Sequence, residues 1–210
     1  FIEPFFLTPS SLNTVSSIGG ELGKKGYYTA FFHGADNGSM GFEAFARTAG
    51  YTHYFGRTEY NEANPDNKDF DGHWGIWDEK FFQFFGNTLS GFQQPFAAAL
   101  FSLSSHHPFA VPAEYEGVFP KGNKPIRQCI GYTDNALKLF FEKVSKEPWY
   151  KNTLFVFTAD HTNSPERPEY ETESGLFSVP VVFYQPGSDL KGFRKDVIAQ
   201  QIDIMPTVLG

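Results

Sequence analysis

The sequence predicts an α/β domain, built as a mostly parallel sheet with helices on both faces. Three observations predict it. Apolar runs of strand length recur at residues 27–32, 95–103 and 154–157. Each run stops abruptly in a polar loop that carries a histidine: His33, His106 and His161. Between the second and third runs lies a long amphipathic stretch, residues 125–144, of the length a crossover helix between parallel strands needs. The chain's 210 residues, 40% hydrophobic and 20% charged, suffice for one such domain with a sizeable core. No internal repeat, low-complexity tract or second domain is visible.

Taken in order, residues 1–6 are apolar and give way to Leu7-Thr8-Pro9-Ser10-Ser11. Ser10 or Ser11 is the expected N-cap of a first helix. Leu12, Val15, Ile18 and Leu22 recur at helical spacing up to the basic, glycine-stopped end Lys24-Lys25-Gly26. The first strand, 27–32, ends at His33 in the turn-rich loop 33–39. A short helix is expected over 41–49, an irregular aromatic stretch over 51–60, and a polar loop over 61–67.

Residues 69–79, DFDGHWGIWDE, mix acids, a histidine and two tryptophans. They suit either a substrate-pocket wall or plain core, with Trp77 assigned to the core and His73 open. Asp78-Glu79 reads as the acidic start of a helix through Phe81, Phe82, Phe84 and Phe85. The second strand, 95–103, leads into Ser104-Ser105-His106-His107-Pro108-Phe109. The 125–144 helix presents Ile126, Ile130, Ala136, Leu137, Phe140 and Phe141 on its apolar side.

It feeds the run Leu154-Phe155-Val156-Phe157, whose aromatic and β-branched content suits a strand buried on both faces of a parallel sheet. The segment after His161 is a polar surface loop, 179–184 a further strand, and 197–209 a helix interrupted at Pro206.

Composition excludes several function classes. A net charge of −7 argues against nucleic acid as a partner, because phosphate binding needs clustered Lys and Arg. The single cysteine, Cys129, excludes an internal disulfide and a cysteine metal cluster. No run approaches the ~20 apolar residues that span a bilayer. The chain opens on Phe1 without a methionine or a leader pattern, and reads as a piece of a longer protein.

G-x-S-x-G, H-E-x-x-H and G-x-x-x-x-G-K-[ST] are all absent. Ser104 and Ser105 neighbour His106, but adjacent residues of an extended chain point to opposite faces, which disfavours a serine triad.

In a parallel sheet the three strand-end histidines lie along one edge, where α/β folds bind ligands. Asp160-His161 sets a hard carboxylate beside an imidazole, both able to ligate a divalent cation. The competing reading is a turn aspartate followed by a loop histidine. Metal plus imidazoles suits phosphoryl or sulfuryl transfer, with histidine binding or protonating the departing ester oxygen.

Several landmarks then line up in order: TPSSL from Thr8, KKGYYTAFFHG ending at His33-Gly34, DFDGHWGIWDE from Asp69, SSHHPF from Ser104, WYKNTLFVFTADHT from Trp149 and QQIDIMPTVL near the C-terminus. Together they resemble the catalytic domain of lipoteichoic acid synthases and their sulfatase-like relatives in the alkaline phosphatase superfamily. The resemblance runs along nearly the whole chain. It implies that residues 1–210 are the C-terminal part of one sulfatase-like catalytic domain, truncated at its N-terminus.

It implies a divalent metal, manganese in the first place with zinc, calcium and magnesium as alternatives, ligated by Asp160 and His161. It implies that His33 contacts the substrate, and that His106, rather than His107, sits near the phosphate or leaving group as a substrate-binding and catalytic residue. The reaction it implies is attack by a threonine or serine on a phosphodiester or sulfate ester through a covalent enzyme intermediate.

The implied substrate is a phospholipid- or glycan-derived ester of the extracytoplasmic cell envelope, and the implied parent protein is one that many relatives anchor in the cell membrane. Two departures accompany the match. The nucleophile and a further acidic ligand of the family lie upstream of Phe1, so this fragment alone is expected to be inactive. Met40 and Phe42 stand where glycerol-phosphate polymerising members carry Trp and Arg, which removes a bidentate phosphate clamp. The alternative from another class is a non-catalytic relative that binds an envelope glycan or polymer through its aromatic cleft.

Overall fold

The computed structural model describes residues 15–189, 191–194 and 196–210. They fall into two compact units that divide between Glu142 and Lys143. The expected N-cap at Ser10 or Ser11 lies outside the described residues, as do Thr8 and Leu12. The first helix, α1 (Ile18–Lys24), is capped instead by Ser17, whose hydroxyl accepts from the Gly20 amide.

The first unit is organised on a three-stranded parallel sheet of order β2-β1-β3, formed by β1 (Tyr28–His33), β2 (His53–Phe55) and β3 (Phe96–Phe101). Helix α2 (Phe42–Thr48) connects β1 to β2, and α3 (Arg57–Ala63) and α4 (Asp78–Ser90) lie between β2 and β3. Steps from β1 outward to β2 and back past it to β3 run in opposite directions. Right-handed crossovers then require helices on opposite faces of the sheet. The ring contacts agree: Phe42 of α2 stacks near Phe31, while Phe81, Phe84 and Phe85 of α4 surround Phe32 on the other face.

Phe32 is fully buried, stacked on Phe55 at 4.6 Å and edge-on to Phe85 at 4.7 Å. Ala30, Tyr60, Ile76 and Phe81 complete this core cluster. Burial of one such ring is worth roughly 1.5–3 kcal/mol, with about 0.5–1.5 more per well-placed aromatic pair. Phe55, Phe84, Phe85 and Phe92 pack against the same cluster. Helix α5 (Ile126–Val144) packs on α4 through Phe140 and Phe85, 5.6 Å apart and nearly parallel. Cys129 is fully buried on α5 and burial pushes its thiol up to about 11, which makes it a packing group.

Sequence and structure differ at two places here. The stretch 51–60, expected irregular, holds β2 and the start of α3. A three-residue strand is too short to show periodicity, and the start of α3 is held by the Gly56 amide donating to the Glu59 carboxylate at 2.6 Å and by the Thr58 amide donating to the distant Asn37 side chain. The C-terminal helix, expected over 197–209, is reduced to α6 (Ile204–Leu209) behind a 3₁₀ turn at Gln201–Asp203.

In the second unit, β4 (Phe155–Thr158) pairs with β5 (Val181–Tyr184), and the pairing is antiparallel. The expectation of a strand buried on both faces of a parallel sheet is corrected accordingly. Phe155, Val156 and Phe157 are half-buried and Thr158 is exposed. An apolar run carries no information on the direction of its partner, so the sequence left the pairing undetermined.

Candidate functional site

The exits of β1 and β3 diverge. The chain leaves β1 toward α2 on one face, and leaves β3 toward α5, which packs with α4 on the other. Neighbouring parallel strands with divergent exits leave a crevice at their carboxyl ends. Residues 69–77 lie across this crevice as a strap. The Ile76 amide donates to the Gly34 carbonyl at 3.0 Å, and Ala35 and Gly75 form an isolated antiparallel bridge. A Cβ on Gly75 would come within 2.3 Å of the Gly34 oxygen and 2.7 Å of Leu103, so only glycine permits this approach. Asp71 Oδ1 accepts from the amides of His73, Trp74 and Gly75 at 2.8, 2.8 and 3.0 Å, which fixes the strap's turn.

Asp78 anchors the other wall. It is 2% exposed at the start of α4. Its carboxylate accepts from the Leu103 and Ser104 amides at 2.9 and 3.2 Å and from the Thr133 hydroxyl at 3.1 Å, while its own amide donates to Ser104 Oγ at 3.0 Å. Burial pushes the Asp78 carboxyl above the ordinary carboxylate range, against the pull of these donors. One buried acid therefore ties the exit of β3 to α4 and α5.

On that exit sits His106, exposed at the rim of a shallow dent lined also by Asp71, His73, Trp74, Trp77 and Ser104. Its Nδ1 lies 3.0 Å from the His107 carbonyl, and its ring meets Trp74 at 4.3 Å with the planes 64° apart. His107 instead sets its ring edge-on to Phe109, and His73 is exposed. Trp77, assigned to the core from sequence, is half-buried and lines the dent.

His33 ends β1 but is 2% exposed and does not line that dent. Its ring is covered by Phe42 at 4.2 Å and Phe101 at 5.4 Å, and Nδ1 faces the Phe101 carbonyl at a long 3.4 Å. Desolvation lowers its pKa, so the buried ring is neutral. Phe42, at the position where the sequence comparison expected a phosphate clamp, thus presents an aromatic ring against His33. Met40 beside it is exposed, with a left-handed backbone at φ 48°.

In the second unit, Asp160 and His161 follow β4 with half-exposed side chains. Asp160 Oδ1 accepts from the His161 amide at 2.9 Å, and the His161 Nδ1 faces the Thr162 carbonyl at 3.0 Å. A carbonyl only accepts, so Nδ1 carries a proton, and Nε2 lies 3.3 Å from Asp160 Oδ2. Gln201 donates to the Ala159 and Asp160 carbonyls and steadies the turn.

Two donors ~2.1 Å from one cation lie about 3.4 Å apart in tetrahedral and about 3.0 Å apart in octahedral geometry. The observed separation falls between these values, so the pair fits two positions around a divalent cation. Among the described residues no group of three His, Cys, Asp or Glu side chains is assembled for a metal.

All three strand-end histidines thus turn Nδ1 to a backbone carbonyl, His33 inside the fold and His106 and His161 on exposed rings. Sequence reading named these histidines. It did not single out Asp71 or the buried anchor Asp78, because an acid at a turn or a helix start reads the same whether it is solvated or holds a neighbouring loop.

The sulfatase family model matches residues 2–210. Lipoteichoic acid synthase 2 of Bacillus subtilis (strain 168) is 26% identical over 219 residues, covering 94% of this chain and 32% of that protein. Phosphoglycerol transferase I of Escherichia coli (strain SMS-3-5 / SECEC) is 26% identical over 153 residues, covering 69% of this chain and 20% of that protein. The chain therefore spans a third or less of the length of these relatives. A Vibrio parahaemolyticus protein of the alkaline phosphatase superfamily superposes with a TM-score of 0.80 at 25% identity, over 97% of this chain and 48% of that one. A match of this extent on so similar a fold makes the chain a member of the sulfatase family.

Proposed function

We propose that the protein is a metal-dependent phosphoglycerol transferase, or a sulfatase-type hydrolase, acting on phosphodiester or sulfate esters of extracytoplasmic envelope molecules. The observation that carries this reading is the Asp160–His161 pair, set 3.3 Å apart at a strand end within a chain that matches the sulfatase family over residues 2–210. Asp160 Oδ2 and His161 Nε2 are the donors assigned to a divalent cation, manganese first. When bound, such an ion neutralises ester oxygen charge and activates a nucleophile.

His106 is assigned to the leaving-group oxygen. Its Nδ1–H is engaged by a carbonyl, so Nε2 faces outward and exchanges the proton there. His33 is assigned to substrate binding, with Nε2 accepting a hydroxyl proton once Phe42 moves aside. The nucleophile and the remaining metal donors are not assigned to residues of this chain. Similarity to lipoteichoic acid synthase and phosphoglycerol transferase supports an envelope location; among the described residues no helix is long and apolar enough to cross a membrane.

The test uses the full-length protein with glycerophospholipid, chromogenic phosphodiester and sulfate ester substrates, with manganese or after chelation. Activity is expected on at least one ester class, lost on chelation, and reduced at least ~100-fold by Asp160→Asn, since even outer partners of metal ligands are worth 10–100-fold. Activity indifferent to both treatments would sink the reading.

A further inference from the structure

We propose that Trp74 is the positioning residue that locks His106 into its working tautomer, an inference that rests on His106 being the imidazole of the proposed reaction. The indole Nε1–H donates to the His107 carbonyl at 2.6 Å, and the same oxygen faces His106 Nδ1 at 3.0 Å. A carbonyl oxygen has two lone pairs, enough to accept both donors at once. The indole proton thereby holds the oxygen in the one place where His106 Nδ1–H can reach it. Trp74 also sets its ring edge-on to the imidazole at 4.3 Å, which hinders a half-turn of His106 about its own axis.

The backbone on either side is pinned as well. The His106 amide donates to the Leu103 carbonyl at 3.0 Å, and the Phe109 amide donates to the His106 carbonyl at 3.0 Å.

Trp74 is itself placed from outside the His106 loop. Its amide is held by Asp71 and its neighbour Gly75 is seated on Gly34, so the strap across β1 aims an indole at the loop after β3. His106 is exposed, and an exposed imidazole without such a partner exchanges tautomers freely in water. The device therefore converts a solvent-facing histidine into a group with one defined proton and one defined acceptor. Both are required for proton transfer at a fixed atom.

The test compares wild type, Trp74→Phe and Trp74→Ala in the full-length protein labelled with 15N-histidine, using His106→Ala to assign the signal. For the neutral ring, wild-type His106 is expected as the Nδ1–H form, and both variants as a mixture of tautomers. In steady-state kinetics Trp74→Ala is expected to lower kcat about tenfold with KM changed less than twofold, and Trp74→Phe, which keeps the ring contact, to fall between.

A pure Nδ1–H signal in both variants, a wild type that is already mixed, or an effect confined to KM would overturn the proposal. Should Trp74→Ala fail to fold, Trp74→Phe decides alone. Should the wild type show no ester activity, the reaction assignment falls, while the tautomer measurement still decides the role of Trp74.

Discussion

His106 and His161 end in the same chemical state by different routes. Both turn Nδ1 to a backbone carbonyl, and His161 sets its Nε2 beside Asp160 Oδ2. His106 is held by residues distant in sequence: Trp74 at the carbonyl it uses, and Asp78 at the base of its loop. His161 is held by its immediate neighbours Asp160 and Thr162, with Gln201 as the long-range support of the turn. The surroundings differ in the same sense. The first unit closes a ring-stacked core on Phe32. In the second, the large apolar side chains of Leu154, Phe177, Val182, Tyr184, Val197, Ile198 and Ile202 are exposed, while Val144 and Trp149 are buried. A contact between two donor side chains can be written into a dipeptide, whereas the supports of His106 come together only through the fold.

The comparison can be broken most forcefully at the core. Phe32→Ala is expected to cost about 3–5 kcal/mol, read by urea unfolding, because the surrounding rings cannot all collapse into the space. A loss below about 1 kcal/mol would mean the cluster does not depend on that ring.

His33 offers a smaller and pH-dependent effect. Its folded-state pKa is lowered by burial below the ordinary histidine value of 6.5, so the folded state binds fewer protons than the unfolded state just below that pH. Its contribution is fully present above 6.5 and lost as pH falls toward the folded value. Over the first pH unit below 6.5, wild type is expected to lose up to about 1 kcal/mol more than His33→Gln. Equal slopes for the two proteins would show that His33 is not desolvated.

The smallest effect is expected in the second unit. Val182→Thr, on an exposed position of β5, is expected to shift stability by less than about 0.5 kcal/mol. A larger loss would show that this face is covered in the full-length protein.

Much of this was legible in the chain itself. The strands at β1 and β3 and the helices α2, α4 and α5 follow from apolar period and turn chemistry, and the histidines follow as the residues that stop the strands. The Asp160–His161 contact was also legible, because adjacent residues after a strand are close whatever the fold.

What tertiary structure decided are the properties that depend on partners. The apolar run at β4 did not reveal that its neighbour runs antiparallel. A strand-end histidine looks alike in sequence whether Phe42 and Phe101 bury it, as at His33, or solvent reaches it, as at His106. The acid of Asp78 read as a helix start, and only the return of residues 103–104 made it a buried anchor. Local free energy sets where elements begin and end. Burial, and at His106 the hold on the carbonyl that its ring uses, are set by groups far along the chain, which is why the sequence alone named the histidines and the fold decided their surroundings.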